Sequence, residues 1–229
     1  MFEAVNDKVV TIDVGAAGGV VARAGAMLFY TGDVSFAPHE IPGAPTGATS
    51  GLLRQAGRAM AGEYERTMLA HGSGQVHYGF AGLDVHVVHM EPEATLRVEA
   101  SRLLARTAGL QSAVTSVTSS PARGGGLMGT LRGAASGALT GQGMFTTQLS
   151  GSGAAVLLGH GGFLELPVGG PNPVVVDPQA FVAAYGDVRT EVKAALSWRD
   201  AVGRGSGEAL QLHCVGQGVV YVQASEEKL

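Results

Sequence analysis

Three short segments bracketed by glycine recur along the chain, and they constrain its fold more than any other feature. They begin at Gly62, Gly141 and Gly207 and read GEYERTMLAHGSG, GQGMFTTQLSGSG and GEALQLHCVGQG. The first two start 79 residues apart, and an apolar run follows each of the three. Similarity at a fixed spacing is the signature of a chain built from repeated structural units.

A second set of similar segments lies between the first. VEASRLLA begins at Val98, VDPQAFVA begins 78 residues later at Val176, and ARAGAMLF begins at Ala22. Two sets at nearly the same spacing indicate three units, the third of which is divided between the two ends of the chain. The predicted units are approximately 23–98, 99–176, and 177–229 completed by 1–22.

We expect these units to form one domain that closes in a pseudo-three-fold arrangement. Closure requires Met1 and Leu229 to lie close together, because the two chain ends jointly complete one unit. A closed arrangement also removes exposed strand edges, which are the usual hazard of a sheet protein.

The local pattern is that of β-strands. Apolar and polar residues alternate in Leu210–Cys214, Val85–Val87 and Leu164–Leu166, which is the period of a half-buried strand. Glycine makes up 36 of the 229 residues, and its pairs at the ends of the repeated segments suit turns, bulges or close backbone approach. The sequence therefore predicts an all-β fold with few short helices.

Two segments are predicted to be helical and two to be loops. Gly51–Ala61 is amphipathic, and Asp187–Val202 has apolar residues at helical spacing after an N-cap at Asp187. Ala37–Ser50 and Ser119–Gly126 are rich in Pro, Gly and Ser, which is typical of loops.

Charge and composition limit the classes of partner. The chain carries 15 basic and 19 acidic residues, a net charge of −4, without a concentrated basic patch. Nucleic acids and anionic membranes attract clustered Lys and Arg, so we expect neither as a partner. The single cysteine, Cys214, fits a reducing compartment. The start, MFEAVNDKVV, lacks the pattern of a signal peptide, and no apolar run reaches about 18 residues, so we expect a cytoplasmic protein without a membrane span.

The segment VVARAGAMLFYTGDV near the start, the repeated glycine turns and the terminal GQGVVYVQA resemble the altered inheritance of mitochondria twenty-four family. The resemblance extends from about Val9 to Ala224, and the Gly/Ala-rich run Gly124–Gly143 departs from it. It implies three tandem units of the fold of the tryptophan RNA-binding attenuation protein, a short double-stranded β-helix. Its motifs are glycine and apolar spacings, so the resemblance implies a fold and carries no catalytic residues.

RNA binding, which that relative performs as a ring of subunits, is not expected here. Stacking of bases needs aromatic residues at matching positions. Phe29, Ala105 and Ala183 occupy one such position, so no aromatic ladder repeats along the chain.

Asp84, His86 and His89 are the candidate metal ligands, because related double-stranded β-helix folds often hold a metal. On a strand, Asp84 and His86 face the same side, whereas His89 faces the opposite side. The His-x-His with a following Glu of a cupin-type site is absent, and the counterpart of His86 in the next unit is Glu165. We interpret the three residues as a solvated strand face and predict no metal site and no cofactor.

Two other reactive side chains favour structural interpretations. His77 corresponds to Val156 and Tyr221 in the other units, so we expect a packed or inter-subunit position rather than a general base. Cys214 lies in an alternating strand, where we expect a buried, small apolar residue rather than a nucleophile.

Two further motifs are weak. Gly124-x-Gly126-x-x-Gly129 matches the dinucleotide-binding pattern, but no strand precedes it. Trp198 and Arg199 are residue types that anchor partners, although packing of Trp198 against a small core is the favoured explanation.

The sequence thus predicts no catalytic, cofactor-binding or metal-binding residues. We expect a non-enzymatic, cytoplasmic interaction or scaffold protein that acts through protein–protein contacts and forms homo-oligomers through strand edges. The expected contact surfaces are Ala37–Ser50, Ser119–Gly126 and Asp187–Val202. The alternatives are a small-ligand-binding β protein that uses an axial channel, and a metal-dependent, cupin-like enzyme.

Overall fold

A computed structural model describes residues 1–39, 67–116, 145–194 and 210–226. Their backbone is almost entirely β, which confirms the predicted fold class. The strands are β1 (Phe2–Asn6), β2 (Val9–Asp13), β3 (Val20–Arg23), β4 (Met27–His39), β5 (Thr67–Tyr78), β6 (Asp84–Met90), β7 (Thr95–Glu99), β8 (Leu103–Thr107), β9 (Gln111–Ser116), β10 (Phe145–Ser150), β11 (Gly153–Gly159), β12 (Phe163–Val168), β13 (Val174–Val176), β14 (Phe181–Ala194) and β15 (Leu210–Gln223). Two short helical turns join some of them, α1 (Val14–Ala17) and the 3-10 turn Ala100–Arg102.

The helix α1 is a single turn between β2 and β3. Asp13 caps its start by accepting a hydrogen bond from the Ala16 amide at 2.9 Å, and Gly18 ends it with a φ of +65°. Glycine adopts this left-handed conformation without steric cost, so the chain turns back into the sheet at this residue.

The strands form two antiparallel sheets. The first runs β1-β2-β5-β3-β8-β11-β6, with β4 also paired to β5. The second runs β12-β15-β14-β7-β10-β9, with β13 also paired to β15. The first sheet curls until its two ends meet, because the Val85 amide of β6 donates to the carbonyl oxygen of Asp7, after β1, at 2.7 Å.

Three consecutive groups of described strands pair in similar ways. In the group β2–β5, the last strand pairs with each of the other three, and the same holds in the group β12–β15. In the group β6–β11, the third strand is divided into β8 and β9, and the last strand is divided into β10 and β11. Here β11 pairs with β6 and β8, and β10 pairs with β7 and β9. We call these groups units one, two and three. The closed pseudo-three-fold arrangement and the boundaries 23–98, 99–176 and 177–229 with 1–22 stay predictions, and Leu229 lies outside the described residues.

The repeated glycines lie where two backbones approach closely, as predicted. A Cβ atom on Gly72 of β5 would lie 2.3 Å from the carbonyl oxygen of Asp33, and one on Gly216 of β15 would lie 2.0 Å from that of Asp187. Only glycine allows these long hairpins to pair without interruption. In unit two, Gly151 instead lies where the chain passes from β10 in the second sheet to β11 in the first.

Two sequence predictions are wrong in their described parts. The predicted helix Asp187–Val202 begins as strand, because 187–194 belongs to β14 and pairs with β15. Val188, Thr190 and Val192 alternate with charged residues, so the strand period of two prevails over the helical spacing. The predicted loop Ala37–Ser50 also begins as strand, at the end of β4. The predicted helix Gly51–Ala61, the loop Ser119–Gly126 and the run Gly124–Gly143 lie outside the described residues.

The core is divided into three apolar clusters. The largest lies under the first sheet and includes Ile12 and Val76, the second includes Leu96 and Leu157, and the third surrounds Leu212. The predicted alternation in Leu210–Cys214 is confirmed, because Leu212 and Cys214 are buried whereas Gln211 and His213 are partly exposed. In the described part of the chain, no helix is long and apolar enough to cross a membrane.

Candidate interaction edge

The first four residues of β4 form an uncovered apolar surface, which we call the β4 strip. Met27, Leu28, Phe29 and Tyr30 are 41%, 53%, 52% and 46% exposed. Among the described strands β4 pairs only with β5, so its other edge presents backbone N–H and C=O groups. Natural proteins protect such an edge with charges, prolines or bulges, or use it to bind another chain.

Ring contacts hold two side chains of the β4 strip in place. The ring of Phe29 stacks on that of His77, with centroids 4.0 Å apart and planes 15° apart. The ring of Tyr30 meets that of Phe36 edge-on at 5.3 Å. Because these rings are already ordered, binding through them costs little side-chain entropy. His77 is thus half-buried and packed against Phe29, which is one of the two predicted alternatives; its inter-subunit role and its exclusion as a general base stay predictions.

The β4 strip differs from the same place in the other two units. In each unit, the strand that corresponds to β4 has a bulge near its start. The bulged residues are Leu28, Leu104 and Val182, so these three positions correspond to each other. Leu104 and Val182 are 1% and 0% exposed, because other strands cover them. In unit one the corresponding surface is uncovered in the described structure.

The candidate metal ligand Asp84 is engaged by a lysine and by backbone. Its carboxylate lies 2.7 Å from Lys8 Nζ and accepts a hydrogen bond from the Gly162 amide at 2.9 Å. Burial acts to raise the pKa of Asp84, but the lysine and the amides outweigh it and hold the pKa below its usual value. The prediction of a solvated face is therefore wrong for Asp84, which is buried. It is correct for His89, which is exposed.

His86 lies in a cluster that joins the two sheets. Its Nε2 is 3.4 Å from Glu165 Oε1, and the rings of Phe163 and Tyr221 lie 5.2 Å from its own. Burial lowers the pKa of His86, and Glu165 opposes that effect without cancelling it. Burial, with Glu165 and Tyr185 nearby, raises the pKa of Tyr221 to about 12. The side-chain contacts of this cluster thus join the two sheets. The lowered pKa keeps His86 mainly in its neutral form.

A pair of buried arginines lies at the junction of the two sheets, and sequence reasoning missed it. Arg23 Nη2 donates to the Ser101 carbonyl at 2.9 Å, and its guanidinium lies 4.4 Å from the ring centroid of Phe80. Burial lowers the pKa of Arg23 to about 10, against the opposing charge of Glu99. The signal available in the sequence was an arginine at the end of the otherwise apolar segment Val20–Arg23.

The second arginine of the pair, Arg102, links the two sheets. Its Nε lies 3.9 Å from Glu99 Oε2, and its Nη1 donates to Gln223 Oε1 at the end of β15. Gln223 also accepts from the His160 amide at 3.0 Å. The side chains of Glu99 and Gln223 both contact Arg102, so the three residues have a structural role.

Arg106 fixes the corner between β8 and β9 in a similar way. Its Nη1 donates to the carbonyl oxygens of Thr107 at 3.2 Å and Leu110 at 2.9 Å. Its Nη2 lies 3.4 Å from His39 Nε2, and burial together with the Arg106 charge lowers the pKa of His39.

The remaining candidates are of two kinds. Cys214 is buried within β15, and burial raises the pKa of its thiol to about 11, which confirms its interpretation as an apolar core residue. Trp198, Arg199 and the glycines Gly124–Gly129 lie outside the described residues. Over the ranges that the structure describes, no three His, Cys, Asp or Glu side chains converge to hold a metal ion.

Together the fold and the β4 strip define an all-β protein with an apolar strand edge that is exposed in the described structure. The family model described as mitochondrial biogenesis AIM24 matches residues 2–225, so the chain belongs to this family and the resemblance is confirmed. A protein from Streptococcus pyogenes, solved by X-ray crystallography, is similar in fold, with a TM-score of 0.65 and 17% identity. The similarity covers 98% of this chain and 92% of that one. No curated protein matches the sequence.

Proposed function

We propose that this protein is a non-enzymatic, cytoplasmic interaction module that binds protein chains through the β4 strip. The observation that carries the proposal is the exposure of four consecutive large apolar residues, Met27–Tyr30, on a strand that pairs along only one edge among the described strands. An exposed strand edge binds extended chains by adding a strand, and its side chains supply specificity.

The buried polar groups support a binding role over a catalytic one. Asp84 is paired with Lys8, and Arg102 binds Glu99 and Gln223, so these groups stabilise the fold. General acids, bases and nucleophiles instead need access to a substrate. The alternatives, a ligand-binding axial channel and a metal-dependent enzyme, have no comparable observation in their favour among the described residues.

The test compares the proteins that associate with three tagged forms of the chain in its native cell. Tyr30→Lys places a charge on the β4 edge, which is a natural way to block strand addition. Leu164→Lys is the matched control, because Leu164 is 55% exposed but lies on β12. We expect the associated proteins to be lost with Tyr30→Lys and retained with Leu164→Lys. Identical sets for all three forms, with unchanged circular dichroism, would refute the proposal.

A further inference from the structure

The units are joined to each other by one recurring strand pair. Between units one and two, β3 pairs with β8, and Ala22 lies opposite Ala105. Between units two and three, β7 pairs with β14, and Val98 lies opposite Ala183. Both junctions are antiparallel, and the second strand of each unit supplies one side. The junctions therefore follow a rule that can be extended to the third pair of units.

The rule assigns the third junction to β13 and β4. Val176 is the counterpart of Ala22 and Val98, and Phe29 is the counterpart of Ala105 and Ala183. In that register Phe29 would face Val176, and Tyr30 would face Val175. Among the described strands this pair is not formed: β13 pairs only with β15 and β4 pairs only with β5, so one edge of each is unpaired.

Exposure identifies the same two edges. Phe29, Tyr30 and Val175 are among the exposed large apolar residues of the described structure. Ala105 and Ala183, which occupy the position of Phe29 in the formed junctions, are buried. The position of Phe29 is thus covered in the formed junctions and exposed at the third, where Val175 is exposed and Val176 is buried in the described structure.

The charges on the two edges are compatible with their pairing. The segments 27–32 and 173–176 contain no Asp, Glu, Lys, Arg or His. In the register given by the rule, Asp177 faces Leu28 and Asp33 faces Asn172, so no like charges meet. Two acidic copies of this chain, each of net charge −4, can therefore approach along these edges without a local charge penalty.

We infer that the β4 strip of one copy pairs with β13 of a second copy, and this inference rests on the proposed function because it names the partner of the same edge. The added strand pair runs antiparallel, with Tyr30 of one copy opposite Val175 of the other. Because β4 and β13 are different surfaces, the contact is head-to-tail. It builds a ring if the rotation closes and a longer chain of copies if it does not.

The experiment uses two single-cysteine additions in the full chain, Tyr30→Cys and Val175→Cys. The two purified variants are mixed and oxidised, and the products are separated on a non-reducing gel. We expect a mixed disulfide at twice 23.2 kDa, formed at least about tenfold faster than in a mixture of Tyr30→Cys with Leu164→Cys. Wild type, whose Cys214 is buried, controls for the native thiol.

Two further readouts keep the outcomes distinct. Light scattering of wild type should give a multiple of 23.2 kDa, and Tyr30→Lys should shift it to the single-chain mass. A double variant, Tyr30→Cys with Val175→Cys, that closes a disulfide only within one chain would overturn the inference. A monomeric wild type, together with the absence of a mixed disulfide between the two single variants, would also overturn it. If the copies stay apart while Tyr30→Lys still loses its cellular partners, this inference fails and the proposed function stands. If Tyr30→Lys changes neither the mass in solution nor the set of associated proteins, both this inference and the proposed function fail.

Discussion

Gly72 lies so close to Asp33 that a Cβ atom on the glycine would be 2.3 Å from the aspartate carbonyl oxygen. The two residues are diagonal neighbours in the long β4–β5 hairpin, where Gly72 lies opposite Val34 and has a φ of +118°. The same contact recurs between Gly216 and Asp187 in the β14–β15 hairpin. The glycine that marks the sequence repeat is therefore a steric requirement of the hairpin.

Replacing this glycine should destabilise the protein. In Gly72→Ala the new Cβ meets backbone, which cannot move aside as a flexible side chain can, and the left-handed φ adds strain. We expect the free energy of unfolding to fall by about 3 kcal/mol, the upper end for one strained residue. Urea unfolding followed by circular dichroism measures it. The matched control is Gly109→Ala, where a Cβ meets nothing within 4 Å, and an equal loss in both variants would contradict the steric explanation.

The stability of the fold should depend on pH through His86. Burial holds the pKa of His86 below its usual value in the folded state, so the unfolded chain binds a proton more readily. The contribution of His86 to the free energy of unfolding is present above about pH 6.5, which is the pKa of histidine in the unfolded chain. It is lost as the pH falls towards the lower pKa of His86 in the folded state. We expect the free energy of unfolding to decrease as pH falls below about 6.5.

The variant His86→Gln should reduce this pH dependence, and His89→Gln should not. His89 lies on the same strand but is exposed, which makes it the matched control. The pKa of His39 is also lowered, so part of the slope will remain in His86→Gln. Urea midpoints at pH 5 and pH 7 give the comparison, and parallel curves for wild type and His86→Gln would argue against this role.

The sequence predicted the features that depend on local chemistry. The alternation of apolar and polar residues in Leu210–Cys214 indicated a strand with one buried face, and the repeated glycines indicated close approach of two backbones. Both follow from the side-chain period of a strand and from the missing Cβ of glycine. The burial of Cys214 followed from the same alternation.

The features that depend on distant partners could not be predicted in this way. Asp187–Ala194 contains residues compatible with either helix or strand, and pairing with β15 decides between them. The contact of Arg102 with Gln223 joins residues 121 positions apart. The exposure of the β4 strip was not predicted either, because nothing in its own residues shows whether another strand covers it.

Removing the Arg102 side chain should destabilise the junction of the two sheets. Arg102→Met keeps the apolar stem but takes away the charge that faces Glu99 and the donor to Gln223. Breaking a buried charged contact by removing one partner costs about 3–5 kcal/mol, and partial exposure of Glu99 favours the lower end. Thermal unfolding compares Arg102→Met with Arg189→Met, an exposed arginine on β14. A similar melting temperature in both would show that the junction does not depend on Arg102.

The buried thiol provides a direct measure of opening of the second sheet. Cys214 is the single cysteine of the chain, lies in the core between strands, and has a pKa raised to about 11 by burial. A thiol reagent attacks the thiolate, so both access and ionisation slow its reaction in the folded state. We expect labelling at pH 8 to be slow in buffer and to accelerate over the same range of urea in which circular dichroism is lost. His89→Cys, which adds an exposed cysteine on β6, should give one rapidly labelled thiol and one slow one. Rapid labelling of wild type in buffer would mean that β15 opens without global unfolding, and the strand would then not belong to the stable core.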